Sequence, residues 1–89
     1  MTQELQIKAI IIDIEAKRDK NYHPFYKIAL QGSTGYFYAF SNSIPKPTLT
    51  TLAESPHKLV NQLALISYEE LPNQDQNGTF FRVRQIELV

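Results

Sequence analysis

The 89-residue chain has no cysteine and no tryptophan, only two histidines and three glycines, and no net charge, because nine Lys and Arg are matched by nine Asp and Glu. Without cysteine, a disulfide framework and a thiolate metal site are both excluded. No apolar run approaches the roughly 20 residues that span a bilayer as a helix, so membrane insertion is not expected. The opening MTQELQIKAI lacks the cationic head and unbroken apolar stretch of a secretory signal. Together these readings make a reducing, cytoplasmic setting the expectation. Zero net charge also means that the chain carries no strong overall positive field, which nucleic-acid binders usually show. The charge is unevenly spread, however. KRDKN (17 to 21) is basic on balance, Lys27, Arg82 and Arg84 fall on segments that read as strands, and Glu69, Glu70 and Asp75 gather elsewhere.

Catalytic constellations are missing too. His23 and His57 each sit beside a proline, with neither an H-x-x-x-H spacing nor a cysteine partner, so no metal site is expected. Ser41 and Ser43 have no base nearby in sequence, and Asp13 and Glu15 alternate as a solvent face does. Glu69 and Glu70 are neighbours, and on a strand neighbours point apart, which rules out a same-face acid and base pair. The chain therefore reads as non-enzymatic and without a cofactor.

What is present in quantity is aromatic. GYFYAFSN (35 to 42) holds four of the chain's ten rings within five positions. A strand hides only every second residue, so the remaining rings need another explanation. If Phe37 and Ala39 point inward, then Tyr36, Tyr38 and Phe40 share the outer face.

Period-two alternation runs through almost the whole chain, which makes it a mainly β, single-domain protein over residues 1–89. Leu5 to Ala16 changes phase, since Leu5, Ile7, Ala9 and Ile11 are odd and Ile10, Ile12 and Ile14 even; a bulge near Ala9 to Ile11 is expected. KRDKNYHP reads as a loop, Phe25 to Gln31 as a second strand, QGSTG as a glycine turn using Gly32 and Gly35, and Tyr36 to Ser41 as a third strand. Two prolines and the spacing of Leu49, Leu52 and Ala53 predict a short helix over 47 to 54 that plugs one end of the sheet. Val60 to Tyr68 and Thr79 to Val89 complete the strands, EELPNQDQNG being the loop between them, and a second phase change falls between Val83 and Ile86. Three strands, a helix and two strands match a five-stranded Greek-key OB-fold barrel, all-β apart from that helix. An SH3-like barrel also has five strands, but the intervening helix and the long first hairpin suit it less well.

With the elements placed, FYKIALQGSTGYFYAFSN resembles the second and third strands of nucleic-acid-binding OB-fold proteins, with Phe40 as the aromatic that precedes the helix. LVNQLALISYEELPNQDQNGTFFRVRQIEL is similar to their fourth strand, variable loop and fifth strand, and to that block in the C-terminal OB-type domain of bacterial DNA polymerase III alpha subunits. The resemblance implies binding of single-stranded DNA or RNA, and replication proteins as partners. The chain departs from the pattern in having no tryptophan and in placing Glu69, Glu70 and Asp75 in the last loop, where they would repel phosphate.

Such binding needs flat π-faces for bases and cations for phosphate. Tyr36, Tyr38 and Phe40, with Phe25 and Lys27 on the neighbouring strand, supply one stripe. Phe80, Arg82 and Arg84 supply another, and Lys17, Arg18 and Lys20 stand in the first loop. The competing reading is structural. Rings are enriched in strands, Arg82 and Arg84 have Glu69 or Glu87 as solvated acidic partners, and the same face suits a dimer or protein partner.

Overall fold

A computed structural model describes residues 3–72 and 78–89. Strand β1 covers Glu4–Arg18, β2 Pro24–Leu30 and β3 Tyr36–Phe40; the helix α1 (Lys46–Glu54) and a 3₁₀ turn (Pro56–Lys58) follow, and then β4 (Leu63–Pro72) and β5 (Thr79–Leu88). The strands close into a barrel in the order β1, β2, β3, β5, β4 and back to β1. All pairings are antiparallel except β3 with β5, which run parallel.

Closure depends on two irregularities that the alternation anticipates. In β1, Ile11 faces Leu30 while Asp13 faces Ala29, so Ile12 is the extra residue, one position beyond the expected bulge. Ile11 is fully buried and Ile12 is 49% exposed, and the inward set then resumes at Ile14. In β5 the shift falls where Ser67 faces Gln85 and Tyr68 faces Val83, leaving Arg84 unopposed and returning Ile86 to the interior. Each bulge bends its strand and lets it serve two sides of the barrel.

Alternate residues of β2 and β3 fill the interior: Tyr26, Ile28, Leu30, Phe37 and Ala39, packed against Ile66 and Val83. The ring of Phe37 stacks on Phe81 at 4.9 Å and meets Tyr68 edge-on at 5.0 Å, an aromatic plug toward the start of β5. Toward the end of β5 the helix and its flanks supply the plug, Leu52 from α1, Ile44 from before it and Leu59 from just after the 3₁₀ turn. Pro45 and Pro47 start α1 without a side-chain cap, consistent with proline's fixed φ at the first helical positions.

Several boundaries differ from the sequence reading. Lys17 and Arg18 belong to β1, so the first turn is shorter than KRDKNYHP. Strand β4 begins at Leu63, not Val60, because Asn61 adopts a left-handed φ of 67° on leaving the 3₁₀ turn. It also continues to Pro72, so Glu69 and Glu70 are strand residues, not loop residues. Gly32 has the expected positive φ of 84°, whereas Gly35 does not and lies against the Phe81 ring. Asp75 lies outside the described residues.

Candidate nucleic-acid interface

Because β2 and β3 bury Tyr26, Ile28, Phe37 and Ala39, the pleat turns Phe25, Lys27, Tyr36, Tyr38 and Phe40 outward. Phe40 is the hub of this outer face. Its ring lies 5.6 Å from Phe25, 6.5 Å from Tyr38 and 6.3 Å from Phe80, and Phe25 and Tyr38 are 6.3 Å apart. Tyr38 and Phe40 lie within 22° of parallel. A shallow depression of about 410 Å³ runs among Phe25, Tyr38, Phe40, Phe80, Arg18 and Asp19. Tyr36 stands apart, 48% exposed, with the Lys27 ammonium 3.9 Å from its ring centroid. That cation covers one face of the ring and is held there by its quadrupole.

The register arranges charges in rows across the sheet. One row runs Glu15, Lys27, Tyr38, Arg82, Glu69; a second joins Lys17, Phe25 and Phe40. Tyr38 thus has a cation on each side, and an acid stands beyond each cation. The acids matter. Arg82 donates to Glu69 Oε1 through Nε at 3.1 Å and through Nη2 at 2.8 Å, and Arg84 Nε is 3.7 Å from the same oxygen. Glu69 keeps only 15% of its side chain exposed beneath them. Lys17 Nζ is 3.3 Å from Glu15. The cations expected to meet phosphate are therefore partly neutralised from within. The structure thus brings together Phe25, Tyr38, Phe40, Phe80 and Arg82, with Lys27 and Tyr36 beside them; Arg84 leans to Glu69.

Arg18 is tied into the β1–β2 turn, its guanidinium donating to the Tyr22 carbonyl at 2.8 Å. Asp19 organises the same turn. Its Oδ1 accepts from the backbone N–H of Asn21 at 2.8 Å and of His23 at 2.9 Å, and its own N–H donates to the His23 carbonyl. The His23 N–H, helped by that of Asn21, holds the Asp19 carboxyl below its ordinary value. Tyr22 takes a φ of 63° to complete the turn, and its ring is exposed. Lys20 sits at the exposed tip. The signal for this turn was readable in Asp-x-Asn-x-His, where an Asp caps backbone groups two and four residues on.

Three residues after β3 also border the site, none of them among the ring and cation stripes. Ser43, buried after β3, donates to the Val83 carbonyl at 2.9 Å and accepts from the Phe40 N–H at 3.1 Å. It stitches β3 to β5 just behind the ring cluster. Asn42 and Ser41 join Asp19, His23, Pro24 and Phe40 around a second depression of about 340 Å³. Among the described residues, no group of three or more His, Asp or Glu side chains is placed to hold a metal ion. Compared with protein-family models, with curated proteins and with solved structures, the chain finds no match.

Proposed function

We propose that the chain is an OB-type Greek-key barrel that binds single-stranded DNA or RNA non-enzymatically, with modest affinity and little sequence preference along the ring stripe. The strand order, the parallel β3–β5 pair and the helix between β3 and β4 support that architecture. The observation that carries the function is the continuous outer row of Phe25, Tyr38, Phe40 and Phe80 beside Arg82 and Lys27. Every base has a π-face, and every linkage a charge, so rings and cations on one open face suit a single strand of any sequence. A place among replication proteins rests on the resemblance of the last two strands alone.

Fluorescence anisotropy with a labelled oligothymidylate tests the reading. Association at low salt that weakens as salt rises is the expected result. Tyr38→Ala should then lose about tenfold, within the roughly 1–3 kcal/mol that one stacked base contributes. No association at low salt up to high micromolar protein removes the proposal.

One observation favours a second reading. Glu69 occupies both Arg82 and Arg84, leaving a face that is ring-rich and nearly neutral, as protein interfaces are at their centre. Sedimentation showing a stable dimer, with Tyr36 and Tyr38 protected in it, would decide for a protein partner.

A further inference from the structure

The second depression borders the ring stripe, sharing Asp19 and Phe40 with it. A strand lying across Phe25, Tyr38 and Phe40 therefore passes its mouth. Its volume, about 340 Å³, is at the small end of clefts that hold small organic groups. Its walls differ from the stripe: Phe40 and Pro24 are apolar, and Asp19, His23, Ser41 and Asn42 are polar. Among the described residues no lysine or arginine lines it, and Asp19 carries negative charge, so a phosphate is the wrong occupant. Asp19 Oδ1 is committed to two backbone donors, whereas among the described residues Oδ2 has the His23 ring, 3.7 Å away, as its one neighbour. A carboxylate oxygen with spare capacity accepts hydrogen bonds and repels carbonyl oxygens.

We propose that this cavity, between the β1–β2 turn and the β3–α1 turn, is a single-base pocket that takes cytosine in preference to thymine or uracil. It rests on the reading of the ring face as a single-strand surface. The exocyclic amino group of cytosine donates to Asp19, and thymine presents a carbonyl oxygen at the same place. Phe40 packs against the base, and Ser41 and Asn42 are within the cavity to meet its remaining polar edge. The stripe then supplies affinity without sequence information, and the pocket supplies one position of preference.

The test compares a labelled oligothymidylate with the same oligonucleotide carrying one central cytosine, by anisotropy at low salt. The wild-type protein should bind the cytosine-containing strand about fivefold tighter, as one charge-assisted hydrogen bond in a half-open site would give. In Asp19→Asn the side-chain oxygen that holds the turn is kept and the charge is removed, so the preference should collapse toward parity. Equal binding of the two strands by the wild type overturns the pocket and leaves the ring-face reading standing. Binding of neither overturns both. A folded Asp19→Asn variant that keeps the preference overturns the assignment to Asp19.

Discussion

Asp19 shows how much one side chain can organise. Its carboxylate ties backbone donors at Asn21 and His23, fixes the turn that borders the ring face, and lines both depressions. These N–H groups favour the ionised form, so its folded pKa lies below its ordinary 3.8. The stabilisation of the turn is then fully present above the unfolded value and is lost as pH falls through the folded one. A pH titration by NMR should find the Asn21 and His23 amide shifts moving together, with a midpoint below 3.8. A midpoint at or above that value would mean that the turn does not hold the charge. The sequence carries this signal in RDKNYH, but the composition of KRDKNYHP shows only a polar loop, basic on balance at its start.

For the strands, alternation foretold the faces well because the pleat leaves no choice: burying Phe37 and Ala39 turns Tyr36, Tyr38 and Phe40 outward. The phase changes in β1 and β5 were legible for the same reason. Cross-strand register was not, since it depends on which strands meet and where, and that is settled by the whole barrel. The extension of β4 to Pro72 illustrates the point, because Glu70 to Pro72 become strand by pairing with Thr79 to Phe81, beyond the reach of β1. That pairing sets Glu69 opposite Arg82, which decides how much positive charge the face offers. Glu69→Gln keeps an acceptor under the guanidinium groups and removes the opposing charge. If the face meets phosphate, the variant should bind single strands more tightly, and the slope of log affinity against log salt should steepen by about 0.7. An unchanged slope would place Arg82 and Arg84 away from phosphate.

At the level of the molecule, the barrel has one thin seam. Strands β3 and β5 are paired only through Phe37 with Phe81 and Tyr38 with Arg82, whereas the other junctions run longer. Ser43 reinforces the seam by joining Phe40 to Val83, and the Phe37–Phe81 stack backs it from inside. Ser43→Ala leaves the Val83 carbonyl without that donor, and a buried polar group so deprived costs about 1–3 kcal/mol. Urea denaturation should show that loss, and hydrogen exchange at the Phe40 amide should accelerate more than at Ile28 or Ile66. Equal acceleration everywhere would mean that the barrel opens as one unit and not along this line.

The seam and the ring face are made from the same residues, Tyr38 and Arg82 on the outside and Phe37 and Phe81 on the inside. Anything gripped across those two strands acts as a clasp on a hoop, resisting the very motion by which the hoop springs open. Occupancy and mechanical integrity are thereby coupled, and an occupied barrel melts later than an empty one by an amount set by occupant concentration over its dissociation constant.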